Sequence, residues 1–187
     1  MNATGSTAAA GRLARLARLS QAMMWVTTVG IGLIVVLTVL GFLIPDWTRN
    51  ALLARLGQVG TALTLTPAAR LVAAAIFAVP VGVMLWGLWQ VRALFRDFAE
   101  GRVFTENAAR HLQMFGVAVL AQAPLGPLTA TLLALALSLA NSQGERLLLI
   151  TFSLNDYFAL IIGGVLVAVA TVMREAARLA EENAGFV

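Results

Sequence analysis

The chain has no cysteine, no lysine and a single histidine, His111. Without thiols it forms no disulfide, no iron–sulfur cluster and no thiolate zinc site. One imidazole leaves little for any other metal. Charge is scarce too: 12% of the 187 residues are charged and 60% are hydrophobic. Soluble domains run at about 25% charged and about 45–50% apolar, so the balance is that of a membrane protein. All 13 basic residues are arginines. They raise the pI to about 11.3, which in a soluble protein would point to nucleic acid. Here they flank apolar segments, as topology signals do, and direct nucleic-acid binding is not expected.

The apolar residues fall into four segments. Residues 1–11 are small and polar and are expected to form a disordered tail. Arg12, Arg15 and Arg18 then alternate with Leu13, Leu16 and Leu19, a basic flank that orients the first span. Residues 22–44 carry no charge. At about 1.5 Å per residue they cross a hydrocarbon core of about 30 Å. The run exceeds the roughly 7–15 apolar residues of a signal peptide, so it reads as an uncleaved helix.

The second span, about 71–91, has Thr66 as N-cap and Pro67 at the first helical position. Pro80 should kink it. Ala74, Ala78 and Gly82 offer a small-residue face for another helix, and Trp86 and Trp89 mark its interfacial end. The third span, 112–139, contains Gln122 and the breakers Pro124, Gly126 and Pro127. The plainer reading is a kink in which Gln122 bonds a freed carbonyl. The alternative is a discontinuous helix of the transporter kind. The fourth span, 157–173, carries the small pairs Ala159/Gly163 and Gly164/Ala168. It continues as a polar tail, 174–187, where Glu175 and Arg178 are spaced to pair.

Two stretches between spans read as strands. Residues 61–66 alternate threonine with apolar side chains, and 147–154 are rich in strand formers before Asn155 and Asp156, a capping pair. The order of strand, cap and apolar helix occurs twice, which suggests a weak internal repeat and a small antiparallel sheet outside the membrane. The tip between spans two and three, 92–110, is the only long charged interruption. Its first helix should run to about Glu100 and stop at Gly101, and the next should start at Thr105 with Glu106 in its first turn. Phe95, Phe98 and Phe104 are expected to pack within this hairpin or at the lipid surface. Nine arginines lie in the N-terminal, central and C-terminal segments and four in the other two loops. The positive-inside rule then places both termini in the cytoplasm. The expected fold is a single all-α integral membrane domain over 1–187, with four transmembrane helices, N-in/C-in, and a two-stranded extracytoplasmic β element.

No catalytic constellation is visible. No nucleophile has a base beside it, no carboxylates pair, and there is no phosphate-binding glycine loop. His111 reads as a boundary residue where the third helix enters the membrane, with a titrating switch as the sharper alternative. Asp156 reads as a helix cap. The expectation is a protein that is not an enzyme and takes no cofactor.

Two motifs carry a family resemblance. GRVFTEN, with Gly101, Phe104 and Asn107, follows the basic-aromatic run LFRDF, and ALIIGGVLVAVATVMREAARLAEENAGFV closes the chain with Glu181, Glu182 and Asn183. Both resemble the central loop and last helix of bacterial DUF2975 membrane proteins. The resemblance covers most of the chain from about residue 25. It implies a four-helix, multi-pass protein of the bacterial inner membrane, with a small Xre-like helix-turn-helix regulator as a frequent genetic partner. It brings no catalytic residues. The resulting expectation is a cytoplasmic face that binds a partner, with Arg96, Phe104, Asn107 and Arg178 as the contact set. An accessory subunit of a larger membrane complex and a small-solute transporter are the alternatives.

Overall fold

The computed structural model describes residues 3–44, 67–140 and 153–184. They form four helices: α1, Ala3–Leu43; α2, Pro67–Ala99; α3, Glu106–Ala140; and α4, Leu154–Ala184. Each contains a stretch long and apolar enough to cross a membrane, and these stretches include the four expected spans almost entirely. The chain is therefore an all-helical, multi-pass membrane protein by its described residues. Helices of 31 to 41 residues are about 45–60 Å long. They overrun a hydrocarbon core of about 30 Å, so their ends project beyond it.

The substantial packing is between chain neighbours: α1 on α2, α2 on α3 and α3 on α4. Each neighbouring pair is antiparallel. Thr28 meets Arg92 and Phe42 meets Phe77 across α1 and α2. Across α2 and α3, Gly87 lies against Ala118. Between α3 and α4, Gly116 lies against Val167 and Gly126 against Asp156. The start of α1, the end of α2, the start of α3 and the end of α4 thus share one end of the molecule.

The interior is built from small side chains. Of the buried hydrophobic residues described, all but Leu94 and Leu133 are alanines, while leucines and valines along every helix, and tryptophans on α1 and α2, face outward. Lipid solvates those large side chains, so burying them gains little. Close backbone approach through alanine and glycine gains dispersion contacts instead. The small residues that pack are not all the expected ones. On α2 the buried set includes Ala69, Ala73 and Gly87, whereas Gly82 has open space beside it and Ala78 is exposed. On α4, Gly163 is buried against α3, but Gly164 borders open space and Ala168 is exposed.

α1 begins at Ala3, so residues 3–11 are helical and not a disordered tail. Ala8, Ala9 and Ala10 are strong helix formers and extend the arginine–leucine helix backwards. Pro67 is the first residue of α2, as expected. α3 is continuous through Pro124 and Pro127; the discontinuous alternative is not what forms. Gln122 donates to the Pro80 carbonyl at 2.8 Å, tying α3 to α2 rather than mending its own helix. The cap of α4 is Ser153: its Oγ accepts from the Asp156 N–H at 3.3 Å, and Asp156 Oδ2 accepts from the Ser153 N–H at 2.8 Å. That is a reciprocal capping box, displaced two residues from the expected Asn155–Asp156 pair. Residues 61–66 and 147–152, which carry the expected β element and repeat, lie outside the described residues. Among the described residues no strand forms.

Candidate functional site

The α2–α3 hairpin at the shared end is fixed by two backbone motifs. At the end of α2 the Gly101 N–H donates to the Phe98 carbonyl at 3.1 Å and the Arg102 N–H to the Asp97 carbonyl at 2.9 Å. This is a Schellman termination, and it requires the left-handed φ of 80° found at Gly101. At the start of α3, Thr105 Oγ1 accepts from the Ala108 N–H at 3.3 Å, the N-cap bond expected of threonine. Glu106 follows in the first turn, where the helix dipole favours an anion. Ala93, Leu94, Ala108 and Ala109 are buried, so the hairpin is closely packed up to its turn.

Inside it lies a polar cluster. Asp97 is 4% exposed. It sits in the last turn of α2, the end where a helix dipole disfavours negative charge. Arg102 compensates it by reaching back from the turn: its Nη2 donates to Asp97 Oδ1 at 2.8 Å and lies 2.5 Å from Glu100 Oε2. The hydrogen bond to Asp97, and then the charge of Glu100, hold the Arg102 guanidinium above its usual range. The other carboxylate oxygen, Asp97 Oδ2, is buried without a hydrogen-bond partner. His111 Nε2 stands 3.8 Å from it. On its opposite side the ring's Nδ1 lies 2.8 Å from Gln90 Oε1. With Gln90 Oε1 in that position, the contact is a hydrogen bond only in the tautomer that carries its proton on Nδ1. In that tautomer Nε2 of the neutral ring turns a lone pair toward the Asp97 carboxylate oxygen.

The neighbouring helices are joined at the same end. Arg92 Nε donates to Thr28 Oγ1 on α1 at 3.0 Å and its guanidinium stacks over Trp89 at 5.3 Å. Arg174 on α4 donates to Gln113 Oε1 on α3. Each neighbouring helix pair thus has a polar tie near the charged end.

The expected contact residues divide. Arg96, Phe104 and Asn107 are exposed around the hairpin turn. Phe95 and Phe98 pack edge to face, with centroids 6.4 Å apart, as expected. Phe104 does not join them: it is 73% exposed. Arg178 lies at the same end of the molecule, but its ion pairs are with Glu175 at 3.0 Å and Glu182 at 3.4 Å on its own helix. In the sequence Asp97, Gln90 and Arg102 belong to no motif of their own, and His111 reads only as a boundary residue. The usable signal was symmetry: Asp97 and His111 are equidistant from Phe104, so a hairpin turning near that point brings them together.

Among the described residues no group of three or more His, Cys, Asp or Glu is placed to hold a metal. A family model described as "Protein of unknown function (DUF2975)" matches residues 58–185. No curated protein and no solved structure matches the chain.

Proposed function

From the premise that the chain belongs to the DUF2975 family, we propose that it is a non-enzymatic protein of the bacterial inner membrane that captures a soluble cytoplasmic partner at its charged end. The observation that carries this reading is Phe104. An aromatic ring 73% exposed on a turn held by a Schellman motif and an N-cap is a rigid apolar anchor of the kind that dominates interfaces. Arg96 and Asn107 beside it supply polar contacts, and Arg178 with Glu175 and Glu182 supplies a charged rim that tunes association. The excess of arginine at this end supports a cytoplasmic placement, N-in/C-in. The family resemblance makes a helix-turn-helix regulator the favoured partner, in a sensing or sequestering role, with the membrane protein itself touching no nucleic acid.

Copurification from native membranes tests this. Wild type is expected to retain a soluble helix-turn-helix protein, and Phe104→Ala or Asn107→Ala to lose it at unchanged abundance and membrane insertion. Capture that survives both substitutions makes the hairpin a scaffold. A second reading, an accessory subunit of a larger membrane complex, is favoured by α1, which packs chiefly on α2 and leaves most of its surface outward. Membrane subunits in the same copurification would select it. Transport is the third alternative, and the unbroken course of α3 lends it no support.

A further inference from the structure

We propose that Asp97, His111 and Gln90 form a proton-operated latch between α2 and α3, and that it governs how firmly the turn presenting Phe104 is held. The latch regulates the face described above, and its biological use rests on that reading. Its test does not.

The two groups are mismatched across the 3.8 Å gap. In the Nδ1–H tautomer, the one from which Gln90 Oε1 can accept, the neutral ring faces Asp97 Oδ2 with a lone pair. That oxygen is buried and has no donor, the costly state for a carboxylate. A proton on Nε2 supplies the missing donor. The ring then donates on both sides, to Gln90 from Nδ1 and to Asp97 from Nε2, and a charge-assisted bond forms between the two helices. No other residue is needed, and imidazole is the side chain whose ordinary titration falls between pH 5 and 8.

The surrounding charges support the assignment. Asp97 faces the ring from α2, with Arg102 on its other oxygen and Glu100 on Arg102. From α4, Arg174 donates from Nη2 to Gln113, two residues along α3 from the ring, while its Nε is buried without a hydrogen-bond partner. Arg102 therefore neutralises Asp97 through Oδ1 alone and leaves Oδ2 to the histidine. The connection to the turn is direct, because the Asp97 carbonyl is the acceptor that closes the Schellman motif. Fixing the Asp97 side chain fixes the residue on which the turn ends.

The single histidine makes the test specific. With nitrogen-15 histidine in lipid nanodiscs, all ring signals come from His111. At high pH the neutral ring is expected as the Nδ1–H tautomer, the form opposite to that usually favoured by free imidazole. On acidification Nε2 takes the proton. The exchange of the Gly101 and Arg102 amides, corrected for the intrinsic effect of pH, should then slow by about tenfold, as one added charge-assisted bond implies. Asp97→Asn should abolish the change in exchange. His111→Gln, which keeps a donor to neither side that depends on pH, should hold exchange constant from pH 5 to 8 and serves if Asp97→Asn does not fold. An Nε2–H tautomer in the neutral ring overturns the proposal, as does turn exchange that ignores the titration or responds equally in His111→Gln. Partner capture is measured separately. A working latch with no capture at either pH removes the partner reading alone, and intact capture with a ring uncoupled from the turn removes the latch alone.

Discussion

Gly163 of α4 lies so close to Leu120 of α3 that a Cβ added to it would stand 2.6 Å from the Leu120 amide nitrogen and 2.8 Å from its Cα. The obstacle is backbone and cannot rotate away. Gly163→Ala is expected to cost about 1–3 kcal/mol through overpacking, and Gly163→Val more. Gly164→Ala, one residue away with nothing within 4 Å, should stay within about 0.5 kcal/mol of wild type. Unfolding in detergent micelles measures both, and equal effects at the two positions would contradict the packing.

The hairpin termini offer a second comparison. Gly101→Ala places a Cβ at φ 80° and should destabilise by about 1–2 kcal/mol. Gly101→Asn should cost less, because asparagine tolerates that conformation. Thr105→Ala removes the N-cap and should cost about 1 kcal/mol. Limited proteolysis of the 100–105 turn in membranes ranks all three, and an alanine at Gly101 cut no faster than wild type would show the turn is not under this constraint.

Arg102 should matter more for whom it serves than for its own surface. Arg102→Gln strips the charge partner from buried Asp97, whereas Asp97→Asn with Arg102→Gln removes the need for one. The double variant should therefore be more stable than Arg102→Gln alone, a coupling that a thermal melt of the four-member cycle reads directly. The pH sign is fixed by the guanidinium, which is held above its usual value by Asp97 and Glu100. Its contribution is fully present below the ordinary arginine range and is lost only as pH rises through the elevated value. The ionisation of Arg102 itself accordingly adds no pH dependence from pH 5 to pH 9, and any change in the Arg102→Gln effect over that range comes from His111 on the other oxygen of Asp97.

Topology is open to a reporter assay. A fluorescent protein fused after Val187 should fold and fluoresce, and a periplasmic phosphatase fused there should stay inactive. Phosphatase activity at that position would place the charged end outside and remove the cytoplasmic-partner reading with it.

The punctuation of the helices was legible in the chain because it is local. Pro67, Gly101 and Thr105 each act on their own backbone, and each sits where its chemistry predicts. Facing relations were harder. Ala74, Ala78 and Gly82 announce that a helix could come close, yet nothing in one stripe says from which side a neighbour arrives. The stripe containing Gly87 was the one α3 used. For Phe104 the sequence offered packing in the hairpin, the lipid surface or contact with a partner, since hydrophobicity alone cannot tell a buried ring from a displayed one; the ring is 73% exposed. Asp97 and His111 are fourteen positions apart, and their meeting depends on hairpin register rather than on any motif. Arg178 was placed at the right end, but its partners one turn away on α4 satisfy it first.

The chain-order packing of the helices bears on biogenesis. Since each helix finds its main partner in the one just made, the contacts that close the protein are short in sequence and cheap in loop entropy. A nascent chain emerging N-terminus first can complete α1 against α2, then add α3, then α4, without holding any early segment open for a late one. Truncation after α3 should accordingly leave a three-helix intermediate that inserts and survives, while deletion of α2 strands α1 with nothing to join.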